Sequence, residues 1–259
     1  MPQRIIALTP SLTEILFALE SGDRVVGVTD SCDYPAAVRD LPNVGCWFDP
    51  DLAKLLALNP DLVLGLQTAH RQVKPELESQ GIRFILVNPL TVEGAIADIA
   101  RIGEILKAHE VSERLVSALA ARLSAVDAET SKIASESRQT ACRILDMDDG
   151  RFHVAGPLSF QYDIISRAGG QNVTGSKKEA YPKITLSELR EWNPQVIFNC
   201  GFDLNTIPAI ADKTEWRSLQ AVQSGNVFTF DCAITCRTGP RIVDMVELLF
   251  ETLYKRYRV

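Results

Sequence analysis

The sequence is poor in the residues and runs on which most enzyme classes and membrane proteins depend. It holds three histidines, His70, His109 and His153, in 259 residues. With so few imidazoles a Ser-His-Asp arrangement has few candidates, and neither a GxSxG elbow nor an HExxH run is present. No GxGxxG follows the first predicted strand and no GxxxxGK[ST] occurs, so the usual glycine loops for dinucleotides and nucleoside triphosphates are missing. No apolar stretch approaches the roughly 20 residues of a membrane span. Basic residues are outnumbered 27 to 33, and a net charge of -6 argues against a groove for nucleic-acid phosphates. The opening MPQRIIALTPS lacks the basic, apolar and cleavage regions of a secretory signal. Two expectations follow: a cytoplasmic protein if this is the whole native chain, or a periplasmic or cell-envelope protein if an export segment has been trimmed.

What is present is an ordinary globular composition, 46% hydrophobic and 23% charged, enough for one large or two small domains. The most regular stretch runs from Val111 to Ile133, without Pro or Gly. Val111, Leu115, Leu119, Leu123 and Val126 recur at helical spacing, which predicts one amphipathic helix roughly 35 Å long at about 1.5 Å per residue. That exceeds what crossing a single sheet requires, so it reads as a spine joining two bodies. An internal echo flanks it. Leu52, Leu55, Asn59 and Pro60 are matched at one constant offset by Leu186, Leu189, Asn193 and Pro194. Each copy reads as a short helix stopped by Asn-Pro and followed by an apolar, buried parallel strand. Helix, Asn-Pro, strand is also common punctuation in α/β proteins; two copies about a long helix favour two similar α/β lobes.

Along the chain, Arg4–Pro10 predicts a buried strand leading to a helix with Ser11 as N-cap, Glu14 completing a capping box and Gly22 closing it. Ser11 then either caps or faces a ligand at the carboxyl edge of the sheet. Further strands are expected at Asp23–Asp30, Ile82–Val87, Cys142–Asp149, Val196–Asn199 and Asn226–Asp231, with Phe160–Ala168 helical. Aromatic side chains Tyr34, Trp47, Phe48, Phe160, Tyr162 and Phe202 fall in or near loops at strand ends, where they suit a large apolar macrocycle or simply pack in the core. His70 or His153 would be the nitrogen ligands of such a group, or structural. Arg237 and Arg241 flank Gly239-Pro240, placed for carboxylate or phosphate groups on a ligand; Arg241 serves equally as an ion pair opening the last helix. Asp33, Glu14, Asp203 and Asp231 are the acid or base candidates, yet each sits where a cap or turn wants a carboxylate. Binding is therefore preferred to catalysis.

The six cysteines, Cys32, Cys46, Cys142, Cys200, Cys232 and Cys236, form neither CxxC pairs nor a secreted framework. Four of them, Cys32, Cys200, Cys232 and Cys236, map to the expected ligand edge. They are open to three readings: buried small hydrophobes, a Cys-ligated metal or Fe–S cluster, or a Cys232–Cys236 disulfide.

RIIALTPSLTEILFAL, GDRVVGVTDSCDYP, LAKLLALNPDLVLG, GGQNV, NCGFD and RTGPRIVDMVELL, in that order, make the chain resemble the helical-backbone (class III) substrate-binding proteins of ABC importers, the cobalamin and iron-siderophore type. The resemblance covers essentially the whole chain and is greatest to proteins labelled cobalamin-binding. It implies an α/β fold of two Rossmann-like lobes with central parallel sheets, joined by one long rigid helix, with the ligand cleft between them. The divisions expected are an amino-terminal lobe over 1–109, a connecting helix over 110–136 and a carboxyl-terminal lobe over 137–259. Cobalamin, a related corrinoid or another chelated metal is the implied ligand, and an importer permease the implied partner. The family pattern sets one acidic docking residue on each lobe, at places where this chain has His70 and Cys236, with Glu76, Glu78 and Glu215 nearby. The alternative is a cysteine-lined metal or Fe–S protein, a cytosolic cofactor carrier or enzyme on the same fold.

Overall fold

The computed structural model describes residues 1–201 and 214–254. The chain divides into two units, one of Met1–Pro89, Glu93–Ala120 and Thr238–Pro240, the other of Leu90–Val92, Ala121–Arg237 and Arg241–Val259.

The first unit is built on strands β1 (Ile5–Ala7), β2 (Val25–Val28), β5 (Leu62–Leu66) and β6 (Arg83–Val87), with a small ribbon of β3 (Gly45–Cys46) and β4 (Asp49–Pro50) set apart. The four strands are all parallel, in the order β2-β1-β5-β6. Ile5, Ile6, Ala7, Leu62, Val63 and Leu64 are completely buried, as a parallel sheet covered on both faces requires. The second unit contains β7 (Thr140–Asp148), β8 (Arg151–Val154), β9 (Gln171–Asn172), β10 (Lys183–Ile184), β11 (Val196–Cys200) and β12 (Val227–Phe230). Its parallel part is β9-β7-β11-β12. Numbered by use, both parallel sheets run second, first, third, fourth. In each the winding reverses beside the first strand, the place where open α/β sheets hold ligands.

The echo in the sequence is an echo in structure. Asp51 caps Leu52–Ala57 by accepting from the Lys54 N–H at 3.1 Å, and Thr185 caps Leu186–Trp192 in a capping box with Glu188. Asn59 and Asn193 both end their helices at positive φ, 46° and 43°. Pre-proline sterics had favoured extended backbone there; both residues instead take the left-handed region, which asparagine tolerates better than most side chains. β5 and β11 then begin three residues past the asparagines, as the third strand of each sheet.

The long helix runs His109–Thr130, 22 residues without interruption, or about 33 Å. Leu119, Leu123 and Val126 of the expected stripe are buried. Its residues through Ala120 belong to the first unit and those from Ala121 to the second. Arg122, on the second part, grips the last helix (Ile242–Tyr254) with a fork to Asp244 at 2.6 Å and Glu247 at 2.5 and 2.9 Å. A guanidinium between two carboxylates in this geometry is held firmly protonated, its pKa raised chiefly by the Glu247 hydrogen bonds.

Three local expectations are corrected. The first helix, Pro10–Ala18, is capped by Thr9, whose hydroxyl accepts from the Leu12 N–H at 3.5 Å, so Ser11 lies inside the first turn and is not the cap. Proline at the first helical position, where no donor is needed, sets that start. The helix closes at Leu19, with Glu20 at positive φ, and Gly22 opens a short 3-10 turn instead. The stretch after β7, for which no strand was expected, forms the antiparallel strand β8, which β10 extends. Asp149 and Gly150, both at positive φ, make the two-residue turn that the twist of a hairpin favours.

The corner between helix Val92–Ile105 and the long helix is tight, with Lys107 at φ 56° and Gly103 against the Ser112 side chain. An alanine at 103 would gain up to about 1 kcal/mol of helix propensity. Its Cβ would collide with Ser112, and overpacking of this kind costs about 1–3 kcal/mol. Gly103→Ala is therefore expected to lower Tm by a few degrees; a rise in thermal unfolding temperature would show that the corner has room.

Candidate functional site

At the carboxyl edge of the first sheet, β5 runs directly into the short helix Gln67–His70. His70 is completely buried, its ring lying over Gly65, where a Cβ would come within 3.1 Å of Nδ1. Nδ1 accepts from the Leu66 N–H at 2.9 Å, which leaves the proton on Nε2, and Nε2 donates to the Trp47 carbonyl. Both ring nitrogens are thus used by backbone, so His70 has none to offer a metal and no exposed surface for a docking partner, contrary to both expectations. It acts as a pin. Trp47 and Phe48 form the tip of the β3–β4 ribbon, and the pin ties that tip to the end of β5. The two rings meet edge to face at 5.7 Å and remain 36% and 58% exposed. Tyr34, after β2, is 51% exposed in the same unit. A large aromatic pair tied from beneath by the His70 pin keeps apolar ring surface in water.

Ser11 is buried beside Thr9, their hydroxyl oxygens 3.2 Å apart. Cys32 is buried in this first unit, hydrogen-bonded by Thr13 at 3.2 Å and 3.4 Å from the Thr29 hydroxyl. It therefore does not join the other three cysteines of the expected metal set. Phe160 is also buried, as core packing requires, and presents no aromatic face. Tyr162 is half-buried with its hydroxyl against Gly175. His153 is paired with Asp146 at 2.6 Å. Arg237 and Arg241 are half-buried and engaged with neighbours. Phe202 lies outside the described residues.

The second unit holds a different cluster. Cys200 ends β11, and Cys232 and Cys236 bracket the short helix that follows β12. Their three sulfurs all lie within 4.8 Å of one another, with Cys200 and Cys236 at 2.9 Å. Arg143, from β7, is almost wholly buried and donates through Nη2 to Cys200 at 3.2 Å and to Cys236 at 3.1 Å. Its Nε and Nη1 have no hydrogen-bond partner among the described residues. Hydrogen bonds from Cys200 and Cys232, reinforced by Arg143, hold the Cys236 thiol down to about 3, and the same sharing with burial pushes Cys200 and Cys232 up. One thiolate is thus supported by two thiols and a guanidinium. Tyr181, 41% exposed, stands near enough to feel Arg143 and Cys236, and donates to the buried Gln161 at 3.0 Å. All six cysteines are free thiols, and Cys142, deep in the core, is pushed up to about 12 by burial. Sequence reasoning missed Arg143 and the pinning role of His70. An arginine inside the otherwise apolar run of β7 was the available signal for the first; nothing local marked the second.

The periplasmic binding protein family matches over residues 5–233. An uncharacterised ABC transporter substrate-binding lipoprotein of Bacillus subtilis, YvrC, is 28% identical over 98% of this chain and 80% of its own. A vitamin B12-binding protein of Vibrio campbellii is 26% identical over 83% and 80%. The solved structure of the periplasmic heme-binding protein RhuT from Roseiflexus sp. RS-1 superposes with a TM-score of 0.87, covering 98% of this chain and 99% of that one at 22% identity. Among the described residues no helix is long and apolar enough to cross a membrane.

The burial of His70 makes a pH prediction. Burial lowers its folded pKa below the unfolded value of about 6.5, while Trp47 and Leu66 partly oppose that. The unfolded chain then takes up the proton first, so this group's contribution to stability is full above about pH 6.5 and declines as pH falls below it. Denaturant unfolding of His70→Gln should show a shallower loss between pH 7 and 5 than wild type, and a loss of about 2 kcal/mol at pH 7 from unpaired backbone groups. Equal pH slopes for the two proteins would mean that His70 is already titrating normally.

Proposed function

Because this chain belongs to the periplasmic binding protein family, whose role is substrate binding for ABC transporters and not catalysis, we propose that it binds a corrinoid, or a chelated metal of similar size and flatness, for delivery to an importer permease. The observation that carries this reading is the solvent-facing Trp47–Phe48 pair, fixed from below by His70. Spending the exposure of two large rings on a rigid tip costs apolar hydration that a macrocycle would remove; flexible or small ligands need no such face. Tyr34, also exposed on the first unit, offers a further aromatic face, and Arg237 and Arg241 offer guanidinium groups suited to carboxylate or phosphate groups of a ligand. Loops at the carboxyl ends of both parallel sheets then form the ligand-bearing edges. The vitamin B12-binding relative supports the corrinoid as the first ligand to try. Action in the cell envelope belongs to this proposal, supported by the lipoprotein relative.

The permease contacts are reassigned. His70 is buried, so we infer that Glu76 and Glu78 on the first unit and Glu215 on the second, all exposed, supply the acidic charge that permease arginines would meet. Glu78 has only a weak tie to Lys74 at 3.6 Å.

Titration with cyanocobalamin should quench tryptophan emission saturably, with haemin as the parallel probe. Trp47→Ala should weaken binding by about tenfold or more, near 1.4 kcal/mol, with the protein still folded at a moderately lowered Tm, because the ring is 36% exposed and the His70 pin is made to its backbone carbonyl. Absence of saturable quenching by either macrocycle would remove the reading; saturation by haemin alone would exchange the ligand and keep the surface. Replacing Glu76, Glu78 and Glu215 with glutamine should leave that affinity intact and reduce stimulation of permease ATPase activity in membrane vesicles. Undiminished stimulation would place the docking charge elsewhere.

A further inference from the structure

The macrocycle face proposed above makes no use of the three-cysteine cluster, and one sulfur would suffice as an axial ligand. We propose that Cys200, Cys232 and Cys236 form a binding site for a thiophilic divalent d10 ion of the zinc class, with the buried Arg143 guanidinium balancing its charge.

The fold brings the three sulfurs together from separate places. Cys200 ends the third strand of the second sheet, beside the first strand, at the point where the winding reverses. Cys232 and Cys236 come from the turn after the fourth strand, β12, whose Phe230 is paired with Cys200. One helical turn brings Cys232 and Cys236 together, whereas Cys200, on another strand, joins them only through the tertiary fold. All three sulfurs lie within 4.8 Å of one another. Tetrahedral zinc–sulfur bonds of about 2.3 Å set sulfurs roughly 3.8 Å apart, so rotation of the cysteine side chains is enough to close around one ion. Cys200 and Cys236, at 2.9 Å, need only move outward.

Arg143 is the second, independent observation. It is 1% exposed, it aims Nη2 at two of the sulfurs, and its Nε and Nη1 find no partner among the described residues. A buried guanidinium without a carboxylate is costly unless something negative stands before it. Three thiolates with one divalent ion carry a single negative charge, and the guanidinium cancels it. The same donors would leave a monovalent ion with excess negative charge in a buried setting. Three protein ligands leave one coordination position, and Cys236 is exposed, so that position is open to water or to an atom of a small ligand. Binding releases the remaining thiol protons to solvent. Cys32, Cys46 and Cys142 stand outside the cluster and serve as internal controls.

The test uses the reduced full-length protein and Cd(II) as a probe of the zinc class. One equivalent should produce thiolate-to-metal charge-transfer absorption in the ultraviolet and protect three of the six thiols from a thiol reagent, with Zn(II) displacing the signal in competition. Cys236→Ser, at an exposed position, should abolish the stoichiometric step and the protection while circular dichroism and Tm confirm folding; Cys46→Ser should behave as wild type. Arg143→Lys, which keeps the charge, should retain more affinity than Arg143→Met. Failure of wild type to bind one equivalent, or undiminished binding by folded Cys236→Ser, would overturn the proposal. Thiol loss on mild oxidation with no metal binding to the reduced protein would overturn it in favour of a Cys200–Cys236 disulfide. None of these readouts depends on macrocycle binding.

Discussion

Parallel strands buried on both faces leave polar chemistry almost nowhere to go except the edge at which they end. In this protein that constraint is imposed twice. β1 with β5, and β7 with β11, pair as neighbouring parallel strands whose residues in register, Ile5–Ala7 with Leu62–Leu64 and Ala141–Arg143 with Val196–Phe198, are buried. Their amides and carbonyls are consumed by the ladder, and their side chains by the core. Helices leave each sheet in opposite directions beside the first strand, so the chain itself opens a gap there. Thr9 and Ser11 follow β1, His70 follows β5 and Cys200 ends β11; Arg143, inside β7, is the exception and reaches toward that end.

The two edges have been put to different uses by small changes at matching positions. In the first unit Gly65, near the end of the third strand, makes room for an imidazole ring that pins the Trp47–Phe48 tip. In the second unit the corresponding stretch is Asn199 and Cys200, with sulfur at the strand end in place of an apolar side chain. The first edge is apolar, aromatic and partly in water. The second is built of sulfur around a buried cation. A duplicated scaffold with such different ends is a physical reason to expect two chemistries from one chain, one suited to flat apolar surface and the other to a soft ion.

Much of the scaffold was legible because it is local. The stripe Leu119, Leu123, Val126 announces a helix wherever it is placed, and its burial follows from 3.6-residue geometry. The two Leu-x-x-Leu…Asn-Pro runs carry their own stop signal, and both copies stop there. Errors appeared where two local signals competed. Thr9 and Ser11 are both acceptable caps, and Pro10 decided between them by fitting the first helical position. Asp149-Gly150 carried a hairpin signal, but the strand it turns into, Arg151–Val154, is too short to stand out by alternation.

By itself, then, the sequence determined the long helix, most strands of the two parallel sheets, the repeated helix and strand, and the lack of any run long and apolar enough to span a membrane and of the usual glycine loops for nucleotides, because each depends on residues within a few turns of one another. Only the tertiary structure decided which candidate side chains meet. It separated Cys32 from the other three cysteines, turned His70 from a ligand into a buried pin, and set Arg143 against two sulfurs. Those outcomes depend on strand order and register, which join positions scores of residues apart and leave no mark on the local pattern of either partner.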